Sequence, residues 1–416
     1  MCGQDLEAEA PRVFGDDFPW HLGVFDVHNH IGELAPLADR IPKMRSRGVA
    51  IMATRTQDQP LVAKMAESYG LKEAGQLSAA DITTVVPGFG RHPWFSHELY
   101  DDTVTSPTYS PPGTEAGLEE AKMAHYRAVL TPPPDDPAFV ADLPTPEPLS
   151  EFISATRERL RSHPLAIVGE VGLDKPFRLA RQWEPGAKAA RALAHPDRTP
   201  GGRGRRPLSR HNVGMAHQKV VLLAQLRLAG EMGRAVSVHG VQVHGVLFDL
   251  LVACWKGHER KGKTSRRRKQ QLVPDGPSAE TERASEAERR EEALPYPPRI
   301  CLHSFSGKAE AVRQYLNPRF PARIFFSFSK SNNMRDEAGR AKMKDALGTV
   351  PDDRVLVESD IHEAGDRMDG DLEDTYRAVC ASKGWTLEEG VERIARNYRH
   401  FILGRMGRRR RVVISD

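Results

Sequence analysis

The chain has 416 residues, of which 39% are hydrophobic and 28% are charged, and its formal net charge is +4. This length suits one large domain or two modest ones, and the composition is typical of a soluble globular protein. The N-terminus lacks the apolar core of a secretory signal, and no apolar run approaches the ~18 residues of a membrane helix. The four cysteines form no C-x-x-C pair, which excludes a zinc knuckle or disulfide framework and favours a reducing compartment.

Eight short runs rich in Val, Ile and Phe predict strands at 23–30, 49–54, 83–89, 165–171, 234–239, 299–304, 322–328 and 353–359. Most are apolar on both faces, as parallel strands covered by helices are. Helical patterns follow at 60–70, 148–162, 212–233, 245–255, 308–316, 335–347, 372–383 and 387–401. This alternation predicts an α/β fold, the (β/α)8 TIM barrel. A doubly wound open sheet is the alternative, but residues 29–33 are not the glycine-rich phosphate turn that it needs.

A barrel of this kind needs ~250 residues, so the surplus must lie in extensions and insertions. We expect an N-terminal extension at 1–22, a single barrel domain at 23–404 and a basic C-terminal tail at 405–416. Insertions are expected near 104–148, which is proline-rich around a helix-like 115–130, and near 184–211 and 256–298. Such stretches bury little apolar surface, so we expect loops or disordered excursions rather than separate domains.

Polar side chains end six of the eight predicted strands. His28 and His30 close the first strand, and the other strand ends carry His92, Glu170 with Asp174, His239, His303, and Glu358 with Asp360. Each of these alone is ordinary, since a lone histidine packs in many cores and Asp360 could cap a helix. The carboxyl ends of barrel strands form the active site, and imidazoles mixed with carboxylates suit divalent metals. A shared metal site explains all six strand ends at once.

The ordered set of motifs resembles the TatD-related metal-dependent deoxyribonucleases, a family of amidohydrolase-like TIM barrels. The motifs are Asp26-x-His28-x-His30, Gly90-Arg91-His92-Pro93, Gly169-Glu170-Val171-Gly172-Leu173-Asp174, His239, His303-Ser304-Phe305-Ser306-Gly307, Glu358-Ser359-Asp360 and Asn397-x-x-x-Phe401. Each motif is weak alone, but together they run in order through residues 23–404.

The resemblance implies a divalent-metal-dependent phosphodiesterase that hydrolyses DNA with an activated water, using two ions of Mg, Mn or Zn. It implies that the metal ligands are His28, His30, Glu170, His239, His303 and Asp360, with Glu170 bridging both ions. It also implies catalytic roles for Asp360, Glu170 and His92, in which Asp360 accepts a proton from the water and His92 donates to the scissile phosphate. Glu358 and Asp174 would orient ligands rather than bind metal.

A few residues beside the motifs depart from the family pattern without removing a ligand. Trp94 stands where the family often has a second histidine, and it could stack on a base or simply pack. His97, three residues later, could replace that histidine. Lys175-Pro176 and Ile361-His362 also differ from the usual residues. These changes concern substrate geometry more than metal binding.

Two other functions stay open on this sequence. An amidohydrolase acting on a small amide, lactone or ester would keep the barrel, although many such relatives bridge their metals with a carbamylated lysine where this chain has Glu170. A catalytically retired barrel could instead serve as a scaffold that binds protein partners through the insertions. The basic runs 203–206, 266–269 and 408–411 suit phosphate contacts or nuclear localisation, but we favour solvated loops for them. We expect DNA as substrate, no membrane contact, and a cytoplasmic and/or nuclear location.

Overall fold

Eight parallel strands form one continuous sheet in the computed structural model, which describes residue 14 and residues 17–33, 35–71, 83–181, 207–260 and 294–404. The strands are β1 Phe25–Asn29, β2 Gly48–Met52, β3 Thr84–Phe89, β4 Ile167–Asp174, β5 Ala235–Val241, β6 Arg299–Leu302, β7 Arg323–Phe328 and β8 Val355–Val357. Each strand pairs in parallel with the next one along the chain. All eight predicted strands are therefore confirmed.

The two outer strands of the sheet meet, which closes the barrel. The backbone N–H of Asp360, just after β8, donates to His28 O of β1 at 3.0 Å, and the N–H of His30 donates to Ile361 O at 2.9 Å. The carboxylate of Asp26 accepts the N–H of Ser359 at 3.1 Å. Because spatial order follows chain order without a reversal, the doubly wound alternative is excluded and the TIM barrel is confirmed.

Alternate residues of each strand enter two apolar layers. Phe25 and Val27 belong to a cluster that also holds Ala50, Val86 and Phe325, whereas the neighbouring Val24 belongs to the large cluster shared with the helices. Residues on a strand alternate between its faces, so the first cluster fills the barrel and the second lies between sheet and helices. Tyr398, Phe401 and Ile402 of the last helix join the inner cluster and close the barrel at the start of the strands.

The helices are α1 Asp58–Tyr69, α2 Glu115–Val129, α3 Pro137–Ala141, α4 Leu149–Ser162, α5 Met215–Glu231, α6 His244–Trp255, α7 Ala309–Tyr315, α8 Lys330–Asn333, α9 Glu337–Thr349, α10 Asp366–Lys383 and α11 Leu387–Leu403. Short 3-10 helices lie at Trp20–Leu22, Ile31–Glu33, Ala35–Lys43, Pro93–Glu98 and Asp352–Arg354, and two-residue strands at Leu99–Tyr100, Leu130–Thr131, Glu147–Pro148 and Asn212–Val213. The predicted helices are all present. α10 begins six residues earlier than predicted, because its first turns are acidic rather than apolar, and acidic side chains favour a helix N-terminus.

The first insertion, at 104–148, carries two helices that pack against the barrel, and is not the loop or disordered excursion that was expected. Tyr126 and Val129 of α2 and Val140 of α3 are buried with Phe177 and Val213. Tyr126 and Val129 are three residues apart and lie on one face of α2. The prolines around the helix made this apolar face hard to recognise in the sequence. The insertion therefore buries its own small core, and it forms a wall beside the carboxyl ends of the strands.

Most of the other two expected insertions lies outside the described residues. This holds for 182–206 and 261–293, and also for the tail 405–416. Where the second insertion begins and ends, Ser209 N–H donates to Leu179 O at 2.7 Å and Arg181 N–H to Pro207 O at 2.7 Å. None of the described helices is both long and apolar enough to cross a bilayer.

Candidate metal centre

His28 and His30 leave the end of β1 two residues apart, so both imidazoles turn toward the same end of the barrel. Their rings lie edge to face with centroids 5.1 Å apart. Nδ1 of His28 lies 2.7 Å from the hydroxyl of Ser237 on β5, which fixes the ring so that Nε2 faces the barrel axis. That Nε2 atom is buried and has no hydrogen-bond partner among the described residues.

Glu170 lies on β4 at the middle of the site, and its two carboxylate oxygens contact different histidines. Oε2 lies 3.4 Å from Nε2 of His28 and 3.4 Å from Nε2 of His30. Oε1 lies 2.8 Å from Nε2 of His303 and 2.9 Å from Nδ1 of His239. The predicted ligands of one ion thus meet one oxygen, and those of the other ion meet the second oxygen.

Asp360 completes the first side of the centre. Its Oδ1 lies 3.3 Å from Nε2 of His30 and 3.9 Å from Nε2 of His28. Its Oδ2 accepts a hydrogen bond from the side-chain amide of Asn332, at the end of α8, and lies 3.2 Å from the hydroxyl of Ser304. Asp360 has a left-handed backbone with φ at 54°, a conformation that is costly outside glycine and concentrates at functional sites.

Two carboxylates outside the six predicted ligands orient histidines. Glu358 follows β8 and places Oε1 3.4 Å from Nδ1 of His303, while it also accepts the N–H of Ser304 at 2.7 Å. Asp174, at the end of β4, places Oδ2 3.0 Å from Nε2 of His239. Such partners fix ring orientation and basicity in metal sites, as the prediction for both residues supposed. Glu358 also falls in a group with His303 and Asp360 that could hold an ion.

The charges of the centre are strongly coupled. Burial alone would raise the pKa of Glu170, but the surrounding imidazoles of His92, His303 and His28 hold it well below its usual range. Burial would lower the pKa of His303, yet Glu170 and Glu358 hold it well above its usual range. The site therefore keeps its central carboxylate ionised, and this negative charge would attract a divalent cation.

His92 approaches Glu170 rather than standing apart from the ligands. Its Nδ1 accepts the N–H of Trp94 at 3.1 Å, so the proton lies on Nε2, which is 3.1 Å from Glu170 Oε1. Burial lowers the pKa of His92 to about 4, so the ring is neutral at pH 7. His92, Glu170 and His239 together form another group that could hold an ion.

Trp94 packs within the site wall. Its indole stacks on Phe177 with centroids 4.5 Å apart, and its Nε1–H donates to Asp174 Oδ2 at 2.7 Å. His97 does not replace a ligand histidine. It is buried beneath α2, where its ring lies 6.1 Å from that of Tyr126 and its carbonyl accepts from His125 at 2.9 Å. The 3-10 turn that begins after His92 carries the His97 side chain away from the centre.

The sequence analysis did not predict three hydrogen bonds that support the site. Ser237 holds His28, Asn332 holds Asp360, and Trp94 holds Asp174. Ser237 lies two residues before His239 on the same strand, so the alternation of strand faces could have placed it in the barrel interior. Asn332 lies in a short helix after β7, and its approach to Asp360 depends on the loop conformation, which no sequence pattern indicated.

The sequence profile of the TatD related DNase family matches residues 25–402. The chain belongs to this family. This is a family of metal-dependent hydrolases, and the chain has groups of His, Glu and Asp side chains that could hold metal. The family assignment that the motifs suggested is therefore confirmed.

Two curated proteins are similar in sequence. Cut9-interacting protein scn1 of Schizosaccharomyces pombe is 35% identical over 379 residues, covering 91% of this chain and 98% of that protein. A protein of Saccharomyces cerevisiae described as an uncharacterized deoxyribonuclease is 28% identical over 279 residues, covering 66% of this chain and 65% of that protein. A solved structure of a TatD homolog from Escherichia coli has a TM-score of 0.47 at 15% identity, covering 91% of this chain and 97% of that one. The fold assignment itself rests on the closed sheet described above.

Proposed function

We propose that this protein is a phosphodiesterase that hydrolyses DNA with water and two divalent metal ions. The proposal rests on the position of the Glu170 carboxylate, whose two oxygens face two different pairs of histidines, His28 with His30 and His239 with His303. A carboxylate shared in this way suits a pair of ions, and paired ions are a recurring device for phosphodiester hydrolysis. The name of the S. cerevisiae relative, a deoxyribonuclease, supports DNA as the substrate.

The donor set fits divalent metal ions. Nε2 of His28 is buried without a hydrogen-bond partner among the described residues, and a buried polar atom of this kind calls for a ligand. We propose His28, His30, Glu170 and Asp360 for one ion, and Glu170, His239 and His303 for the other. Mixed imidazole and carboxylate donors suit Zn, Mn or Mg.

When bound, the two ions would supply an acidified water and neutralise charge on the phosphate. The protein side chains position the remaining groups. Asp360 is the proton acceptor in this proposal, since Asn332 and Ser304 hold its Oδ2 while Oδ1 faces the centre. His92 carries its proton on Nε2 and is the donor to the scissile phosphate, for which it must leave Glu170. Trp94 contacts the ring of His92 edge to face and stacks on Phe177, so these two aromatic rings form a wall beside His92.

A nuclease assay on defined single-stranded, duplex and nicked DNA tests this proposal. Wild-type protein is expected to cut DNA with added Mn²⁺ or Mg²⁺ and to lose activity with EDTA. Glu170→Gln is expected to lose ~10²-fold or more, because it removes the charge shared by both ion sites. Glu158→Gln is the matched control, since the Glu158 side chain is 63% exposed on α4. Equal cutting by wild type and Glu170→Gln would refute the proposal.

The same samples should be tested on small amides, lactones and esters. Cleavage of one of these with the DNA left intact would favour the amidohydrolase alternative. The place of Glu170 at the centre, where many amidohydrolases carry a modified lysine, favours phosphodiester hydrolysis.

Binding of a protein partner is a second proposed function, favoured by the S. pombe relative, which is named for an interaction. The packed insertion at 104–148 provides an ordered surface for such a partner. Metal analysis separates a retired scaffold from an enzyme, because a scaffold would take up no divalent ion on titration. A cytoplasmic and/or nuclear location also stays a prediction, and fluorescence microscopy of the tagged chain would test it.

A further inference from the structure

A cavity lined by arginines lies at the end of the barrel opposite the candidate metal centre. Arg299 and Arg323 are the first residues of β6 and β7, and Arg354 directly precedes β8. These three side chains and Arg260 line a cavity of about 430 Å³, together with Pro298, His400 and Gly404. Four guanidinium groups thus converge where the strands begin.

Among the described residues, the acidic side chains of Asp352 and Asp353 border the adjoining cavity but do not line this one. None of the described residues that line the cavity carries a carboxylate. The neighbouring Asp353 lies 2.6 Å from Nη2 of Arg323 and 3.5 Å from Nε of Arg354, and its side chain is 55% exposed. Among the described residues, this one exposed carboxylate contacts two of the guanidinium groups, and the described lining of the cavity has a net positive charge.

Neutral carbonyl groups hold the arginines in place. Arg299 donates from Nε to Phe401 O at 2.6 Å and from Nη2 to Ile402 O at 3.3 Å, which caps the C-terminus of α11. Arg354 donates to Ile324 O at 3.0 Å, and Arg260 donates to Pro321 O at 2.9 Å. These bonds position the guanidinium groups without neutralising them.

The cationic cluster is costly to the protein on its own. Burial, with a further contribution from Arg234, lowers the pKa of Arg299 to about 10. Burial also lowers the pKa of Arg354, and the nearby charges of Arg323 and Arg260 act in the same direction. Buried charges are ordinarily paired, so an anion in this cavity would relieve both burial and mutual repulsion.

We propose that this cavity binds a small oligophosphate anion, a chain of two or more phosphates, either free or as part of a nucleotide. The planar fork of a guanidinium group matches phosphate oxygens, and several forks together favour an anion with several charges. The volume lies in the range of small-molecule sites, which disfavours the extended backbone of DNA as the occupant. The site is separate from the metal centre and does not depend on the reaction proposed there.

Isothermal titration of the full-length, metal-stripped protein with inorganic triphosphate in EDTA is the test. One saturable site is expected, with an affinity that falls as salt rises. Arg260→Gln and the double variant Arg260→Gln/Arg323→Gln are expected to weaken binding, the double variant by about tenfold or more. Arg299 is left intact because it caps α11. Arg161→Gln is the control, since the Arg161 side chain is 59% exposed on α4, and it should bind as wild type does.

Two further titrations test whether binding is independent of the metal centre and which anion is preferred. Glu170→Gln should bind triphosphate as wild type does, and loss of binding in that variant would overturn the proposal. ADP titrated in parallel distinguishes a nucleotide from a free oligophosphate by which of the two binds more tightly. The assignment would be overturned if triphosphate showed no saturable binding, or if the double variant bound triphosphate as tightly as wild type does. It would also be overturned if single-stranded DNA were the only competitor that displaced bound triphosphate. Thermal unfolding of every variant establishes that the chain is folded.

Discussion

At the scale of single residues, the candidate metal centre depends on side chains that orient the proposed ligands. The convergence of the six proposed ligand residues could be predicted, because each lies at the end of an apolar strand. Strand alternation could have placed Ser237 in the barrel interior but could not have identified its partner His28. The contacts of Asn332 and the indole of Trp94 depend on loop conformation and could not be predicted. The prediction of Trp94 was open between base stacking and packing, and the structure shows it packed on Phe177.

Replacement of Ser237 by alanine tests this supporting role. The change leaves Nδ1 of His28 without its partner at 2.7 Å, so the ring loses its fixed orientation. Affinity for Mn²⁺ is expected to fall by about 10–100-fold with little loss of stability. Calorimetric titration with Mn²⁺ measures this. Ser382→Ala is a suitable control, since its hydroxyl only donates to Ala378 O within α10, and unchanged affinity in Ser237→Ala would contradict the role.

At the scale of elements, the close approach of β4 and β5 places His239 beside Glu170. Gly172 pairs with His239 across these strands, and a Cβ at this glycine would lie 2.1 Å from the carbonyl oxygen of His239. Its φ of 155° also disfavours a side chain. The Gly169–Asp174 motif therefore carries a packing requirement in addition to its carboxylates.

Gly172→Ala is expected to destabilise the protein by about 2 kcal/mol or more, because β5 must move away to admit the methyl group. Urea unfolding measures the free energy of unfolding. Metal titration should show weaker binding of the ion for which His239 is the proposed ligand. Gly245→Ala is the matched control. Its Cβ would meet nothing within 4 Å in α6, so no loss of stability is expected. A Gly172→Ala protein as stable as wild type would contradict the packing argument.

The first insertion packs on the barrel through neutral histidines. His125 of α2 accepts the hydroxyl of Thr108 at Nδ1 and donates from Nε2 to His97 O, both at 2.9 Å. His217 donates to Ser96 O at 2.9 Å from α5. Burial lowers the pKa of His97 to about 3 and that of His125 to about 4. The folded state therefore binds fewer protons than the unfolded state below pH 6.5.

The stability that these histidines contribute is complete above pH 6.5 and is lost as the pH falls toward 4. Amide hydrogen exchange at pH 7 and pH 5 is the measurement. After correction for intrinsic rates, α2 is expected to lose protection at pH 5 while α11 keeps it. His125→Gln should reduce this difference, because glutamine does not titrate. Equal protection of α2 at both pH values would contradict the account.

At the scale of the whole molecule, the strand pattern and the order of the motifs were enough to predict the barrel. Short apolar runs and strand–helix alternation are local properties, so the sequence carries them directly. The packing of the first insertion was not predictable, since its partners Phe177 and Val213 lie far along the chain. The arginine cavity also escaped prediction, because Arg299, Arg323 and Arg354 stand in no common motif and meet only when the barrel closes.

In the proposed function, distant strands bring five side chains, His28, His30, His239, His303 and Asp360, around Glu170 as a centre for two metal ions. Anomalous diffraction from crystals soaked in Mn²⁺ tests it most directly. The account predicts two peaks, one beside His28, His30 and Asp360 and the other beside His239 and His303, with the carboxylate of Glu170 between them. Crystals that show no peak at this end of the barrel, or peaks only at other residues, would contradict it.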